Sequence, residues 1–134
     1  MLHNPTIAIA LAALAAWIFG AVWYMSLGKA WQAAQGMDPE TCNKGQRMPL
    51  TPMLVSFGSE LVMAFVFARL LHGLGVVGWQ DGAVLGLVLG VGFLATTTLV
   101  NNMFKLHKVM LSVIDGGHWI GVAVIQGAVL GALS

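Results

Sequence analysis

The stretch Thr6–Met25 reads TIAIALAALAAWIFGAVWYM and contains no charged side chain. A helix needs about 20 mostly apolar residues to cross the hydrocarbon core of a bilayer. Asn4 lies before this stretch and is a residue type that caps helices. Pro5 suits the first helical position, where no backbone N–H is needed. These residues predict a membrane-spanning helix that begins close to residue 5.

The composition of the whole chain is that of a membrane domain. Of its 134 residues, 58% are hydrophobic and 8% are charged, whereas a soluble domain carries about 25% charged residues. Besides the first span, at about 6–25, three stretches have the length and apolarity of a span, at about 52–71, 82–103 and 111–133. The later connections are short, which makes neighbouring helices antiparallel. The sequence predicts an all-α, four-transmembrane-helix antiparallel bundle that forms a single integral-membrane domain over 1–134.

The charges predict how the bundle is oriented. Lysine and arginine are most frequent in cytoplasmic loops, and Arg69 alone falls on the side of the two termini. We therefore expect an inner-membrane protein with a cytoplasmic loop at 26–51 and both termini extracytoplasmic. Five basic residues lie on the predicted cytoplasmic side: Lys29, Lys44, Arg47, Lys105 and Lys108. Four aromatic residues are expected at the membrane interfaces: Trp23, Tyr24, Trp31 and Trp79.

Several classes of function are disfavoured by the sequence. A net charge of +1 gives no basic field for nucleic acid. No serine elbow, phosphate-binding loop or dinucleotide fingerprint is present, and no nucleophile is paired with an oriented base. The spacing of the acidic residues and histidines matches no known metal motif. We therefore expect no catalytic activity, no cofactor and no metal, and the expected contact is with the lipid bilayer.

Small residues recur every fourth position in all four predicted spans. Such residues allow transmembrane helices to approach closely. The pattern leaves open whether they pack within one chain, in a homo-oligomer or against another membrane protein. The stripes are Ala8, Ala12, Ala16 and Gly20; Ala64 and Ala68; Gly82, Gly86 and Gly90; Gly117 and Gly121; Gly127 and Gly131.

Glu60 lies deep in the second span, on the same helical stripe as Ser56, Ala64 and Ala68. A central acidic residue costs about 2.5–3.5 kcal/mol on insertion scales, so this side chain is expected to face other helices. Two interpretations remain open. The carboxyl responds to protons or cations, or it is a protonated group that bonds to a neighbouring helix and holds the bundle together.

Other polar residues are predicted to gather near Glu60. Asp115, His118 and Gln126 lie on one face of the fourth span. Asp115 also fits a capping box with Ser112, His118 is either a proton relay or a satisfied interface histidine, and Gln126 is expected to make an interhelical hydrogen bond. Most of these residues fall in the cytoplasmic half of the bilayer, which predicts a buried polar cavity near the cytoplasm. The predicted cluster is Tyr24, Glu60, Thr97, Asn101, Asp115, His118 and Gln126.

Short motifs along most of the chain resemble one bacterial family of integral-membrane proteins, domain of unknown function 1761. The resemblance implies a four-span fold and a bacterial inner-membrane location, and it implies no activity. Two departures are the absence of a proline soon after the Trp23-Tyr24 pair and the presence of His118 where an aromatic residue is common. The motifs are Phe19-Gly20-Ala21-Val22-Trp23-Tyr24, Gly28-Lys29-Ala30-Trp31, Glu60-Leu61, Asn102-Met103-Phe104 and Ile114-Asp115-Gly116-Gly117-His118.

Two functions are compatible with these observations. The first is a small channel- or transporter-like bundle in which Glu60 is the titrating group. The second is a non-catalytic accessory or scaffold subunit of a larger membrane complex, held there by its small-residue faces.

Overall fold

The computed structural model of the protein describes residues 4–36 and 50–134. Over these residues it confirms the all-α bundle of four packed helices. Cys42, Lys44 and Arg47 lie outside the described residues, as does much of the predicted loop at 26–51. The helices are α1 (Pro5–Ala34), α2 (Leu50–Leu74), α3 (Trp79–Phe104) and α4 (Val109–Ala132), and each is long and apolar enough to cross a membrane.

The first helix is longer than its predicted span. Its start agrees with the prediction, because the Asn4 side chain accepts a hydrogen bond from the Thr6 backbone N–H at 3.0 Å and Pro5 is the first helical residue. Its 30 residues are about 45 Å long at 1.5 Å per residue, well beyond a hydrocarbon core of about 30 Å. The helix continues through Gly28 without a break and ends before Gly36, which has a φ of +78°. The helix is therefore longer than a membrane span requires.

The fourth helix forms the centre of the bundle. It packs against all three other helices, and α1 also packs against α2. In α4, 44% of the most apolar 18-residue window is buried inside the protein, whereas in α3 only 11% of the corresponding window is buried. Helix α3 is therefore the outermost helix, and most of its surface faces away from the chain.

The contact between α3 and α4 is a close approach of two backbones. A Cβ atom on Gly82 would overlap the Gly127 carbonyl, and one on Gly86 would overlap the Ala123 carbonyl. At the end of the contact, the Gly78 N–H donates a hydrogen bond to the Gly131 carbonyl at 2.9 Å. These glycines therefore serve packing within the chain.

The third helix contains a π-helical segment, Gly90–Ala95. A π turn holds one residue more than an α turn, so it moves the inward face of the following helix by one position. The expectation that Thr97 and Asn101 belong to the buried polar cluster is consequently wrong. Both are exposed on the outside of α3, and Asn102 is buried instead.

Candidate functional site

A cleft of about 420 Å³ lies between α1, α2 and α4. Aromatic side chains form much of its wall. Glu60 and Ser56 of α2 and His118 of α4 also line it, and α3 contributes no residue to it. The aromatic residues are Trp17, Tyr24 and Trp31 of α1 and Trp119 of α4.

The α1 wall is built by helical periodicity. Trp17, Tyr24 and Trp31 follow one another at seven-residue spacing, which places them on one face of a helix. Gly20 and Gly28 lie between them on the cleft. A Cβ on Gly20 would lie 2.7 Å from the His118 Nε2 atom. The glycine therefore provides the space that the imidazole ring occupies between α4 and α1.

Glu60 is 1% exposed and lies on the wall of the cleft. Its Oε2 atom has no hydrogen-bond partner among residues 4–36 and 50–134. The Gln126 side-chain N–H donates at 3.0 Å to the Glu60 backbone carbonyl, which is the interhelical hydrogen bond expected of Gln126. A buried polar group without a partner costs about 1–3 kcal/mol. The backbone at Glu60 thus ties α2 to α4, and one oxygen of the side chain is buried without a partner among the described residues.

His118 is the second buried polar group with an unpaired atom on this cleft. It is 5% exposed, and within the described part of the chain its Nδ1 atom has no hydrogen-bond partner. Its ring is held by aromatic neighbours: the Tyr24 ring centroid is 4.9 Å away, the Trp119 centroid 4.7 Å, and Phe19 is stacked nearly parallel at 6.1 Å. An acidic and a basic side chain, each with an unpaired atom, therefore line one cleft.

Asp115 connects the aromatic wall to α4. Its Oδ1 atom accepts a hydrogen bond from the Tyr24 hydroxyl at 2.7 Å and one from the Trp31 indole N–H at 3.2 Å. The capping-box interpretation is wrong, because α4 begins at Val109 and Ser112 therefore lies inside the helix. The carboxylate instead fixes two aromatic rings that line the cleft.

The structure brings together most of the predicted polar cluster and leaves out two members. Tyr24, Glu60 and His118 line the cleft, Asp115 holds the Tyr24 hydroxyl, and Gln126 lies behind Glu60. Thr97 and Asn101 of α3 are not part of the site. No group of three His, Cys, Asp or Glu side chains in the described ranges is placed to hold a metal ion.

Two tryptophans at the site were missed or assigned only to the membrane interface. Trp119 was missed, although it is the neighbour of His118 in sequence. Trp31 was expected only as an interface anchor, and its indole N–H in fact bonds to Asp115. The seven-residue spacing of the α1 aromatics was the available signal. Trp17 belongs to the same series, and its indole N–H donates to the Met53 carbonyl and the Ser56 hydroxyl oxygen, each at 3.1 Å.

A family model described as "Protein of unknown function (DUF1761)" matches residues 7–131. The chain belongs to this family. The DUF1761 match extends from the first turn of α1 to the end of α4, so it includes all the residues that line the cleft. A comparison with curated proteins and one with solved structures found no match. The family description states no activity.

Proposed function

We propose that the protein is a small transporter-like membrane protein that binds an organic cation in the cleft and exchanges it for a proton on Glu60. The observation that carries the proposal is Glu60, a residue that lines an aromatic cleft and whose Oε2 atom is buried without a partner among the described residues. In this proposal the ligand is bound and released without covalent chemistry.

The composition of the cleft supports a cationic ligand with an apolar body. Tryptophan and tyrosine faces attract ammonium groups, more strongly when water is excluded. Trp17, Tyr24, Trp31 and Trp119 supply such faces around a single acidic side chain on the wall. A volume of about 420 Å³ lies within the range of about 300–1,000 Å³ found for small-molecule sites.

The burial of Glu60 supports exchange rather than simple binding. An ionised carboxylate without a partner is very costly in an apolar environment. The carboxyl is therefore either protonated or paired with a cation. Proton and cation compete for the same group, so binding of one releases the other.

The distribution of basic residues supports one orientation in a bacterial inner membrane. Lys29, Lys105 and Lys108 lie at the end of the bundle where α1 and α3 finish and α4 begins, and Arg69 lies toward the other end. We propose that the former end is cytoplasmic and that both termini are extracytoplasmic. Asp115, Tyr24 and Trp31 then lie on the cytoplasmic side of Glu60.

Binding of tetraethylammonium and tetraphenylphosphonium to the purified protein tests the proposal. We expect saturable quenching of tryptophan fluorescence, with release of a proton for each cation bound in weakly buffered solution. Glu60→Gln should weaken binding by at least about tenfold, because hydrogen bonds and pairing with a charged group contribute about 1.5–3 kcal/mol, and it should abolish proton release. Asp81→Asn is the matched control, since Asp81 is an exposed acid on α3, outside the cleft.

The same variants in proteoliposomes test transport. Vesicles that are acidic inside and carry a trapped pH dye should lose protons when an external cation is added, and Glu60→Gln should remove this response while Asp81→Asn retains it. The proposal is wrong if neither cation binds saturably to the wild-type protein, or if Glu60→Gln binds both cations as the wild type does.

A second candidate function is that of an accessory subunit, and the outer surface of α3 favours it. The exposed Thr97 and Asn101 lie on a helix of which only 11% of the apolar window is buried. Amide and hydroxyl groups in a membrane commonly bond to a partner helix. A second copy or another membrane protein would cover this surface. Purification in mild detergent tests this function, and a monomer that carries no co-purifying protein would contradict it.

A further inference from the structure

A second, larger cleft lies at the opposite end of the bundle from Asp115, where α1 begins and α2 and α4 end. Its volume is about 860 Å³, and it shares no lining residue with the cleft at Glu60. Its walls are mostly aliphatic and aromatic, and its polar side chains include Arg69 and His72 of α2. The apolar walls include Ile9, Phe65, Ala68, Leu71, Leu130 and Leu133.

Arg69 is the feature of this cleft that needs an explanation. It lies five residues before the end of α2 at Leu74, which is about 7.5 Å along the helix axis. No ion pair with an acidic side chain is found for it in the described part of the chain, and no acidic side chain lines the cleft. An arginine at this depth retains its charge by extending toward the headgroup layer or by binding an anion.

His72 is a second polar side chain on the wall of this cleft. It lies three residues after Arg69 and therefore on the same side of α2. Both side chains are exposed and both line the cleft. The guanidinium group matches the two oxygens of a phosphate, to which it donates paired hydrogen bonds. The cleft thus combines a rim that carries a guanidinium group with an apolar wall.

We propose that this cleft is a binding site for one anionic phospholipid. The phosphate lies at Arg69 and His72, and an acyl chain lies along the apolar wall between α1, α2 and α4. An apolar helix face of a second copy would cover the apolar wall but would leave the guanidinium unpaired. A free phosphate would pair with Arg69 but would leave the apolar wall uncovered. The lipid satisfies both, and the proposal does not depend on the function proposed for the other cleft.

Native mass spectrometry of the protein with added phosphatidylglycerol or phosphatidylcholine tests the site. We expect one phosphatidylglycerol molecule to bind roughly tenfold more tightly than phosphatidylcholine, because the choline ammonium group of phosphatidylcholine offsets the phosphate charge that Arg69 would pair with. Arg69→Gln should remove this preference and Arg69→Lys should retain part of it. Lys29→Gln is the matched control because Lys29 is an exposed cation near the other end of α1, and it should leave the preference unchanged.

A competition experiment and a variant of the apolar wall distinguish a lipid site from a phosphate site. Glycerol 3-phosphate carries a phosphate monoester without acyl chains and is expected to compete poorly with the lipid. Ala68→Phe adds a bulky ring on the apolar wall and should weaken binding of both phospholipids while the protein retains its helical circular dichroism signal. The proposal is overturned if the two phospholipids bind equally well, if Arg69→Gln behaves as Lys29→Gln does, or if glycerol 3-phosphate competes as strongly as the lipid.

Discussion

The two faces of α4 make different kinds of contact. Toward α3, Ala123, Gly127 and Gly131 bring two backbones together with almost no side chain between them. Toward α1 and α2, the same helix presents Asp115 and His118, and large rings hold the helices apart around a cleft. Small residues in a membrane therefore produce a dry, close contact, whereas aromatic rings around a few polar groups produce a site with space for a ligand.

The largest expected effect follows from breaking the close contact. Gly86→Leu would force a side chain into the backbone of α4 at Ala123, and overpacking of this kind costs about 3 kcal/mol. We expect the free energy of unfolding in detergent to fall by that amount. Gly92→Leu is the control, because nothing lies within 4 Å of a Cβ at Gly92, and it should be nearly neutral. Equal losses in the two variants would show that the glycines serve helix flexibility rather than packing.

A substitution beside the cleft is expected to lower the stability by a smaller amount. Tyr24→Phe removes the hydroxyl that donates to Asp115 at 2.7 Å and keeps the ring. Because a hydrogen bond to a charged group contributes about 1.5–3 kcal/mol, we expect destabilisation near the lower end of that range. Trp31 still donates to the carboxylate. Asp115→Asn and the double variant complete a cycle whose coupling energy measures the bond. A coupling energy near zero would contradict the hydrogen bond.

The difference between the two contacts also explains what the sequence could predict. The spans and the glycine stripes follow from apolar length and four-residue spacing, and the structure agrees with both. The grouping of Tyr24, Asp115 and His118 followed from shared depth, because polar groups in a membrane satisfy one another. The sequence predicts a short amphipathic extension over residues 28–35 that Gly36 ends, but it does not predict that this extension continues α1 without a break after Met25.

The placement of Asn101 and Asn102 could not be predicted either. Which of the two faces the bundle depends on one additional residue in the π segment Gly90–Ala95. Gly90–Ala95 has no distinctive sequence pattern. A shift of one position exchanges an inward side chain for an outward one, so the polar cluster was assigned two members that lie on the outer surface of α3. Local spacing therefore predicts a face only while the helical period stays constant.

The smallest expected effect concerns the residue that follows this π segment. The Thr96 hydroxyl donates to the Gly92 carbonyl at 2.9 Å and is 3.0 Å from the Phe93 carbonyl, so it satisfies backbone oxygens where the α-helical pattern is interrupted. Thr96→Val keeps the shape and removes this donor. We expect a loss of about 0.6 kcal/mol, the average for a hydrogen bond between side chains in a membrane bundle.

Thr97→Val is the matched control for Thr96→Val. Thr97 is the next residue and is also exposed, and the structure gives its hydroxyl no bond to the π segment. Its replacement should therefore be neutral or slightly stabilising, measured as the free energy of unfolding in the same detergent. If the two valine variants have the same stability, the Thr96 hydroxyl does not stabilise the π turn. The inward position of Asn102 would then depend on the packing of Gly90 and Ala95 against α4 alone.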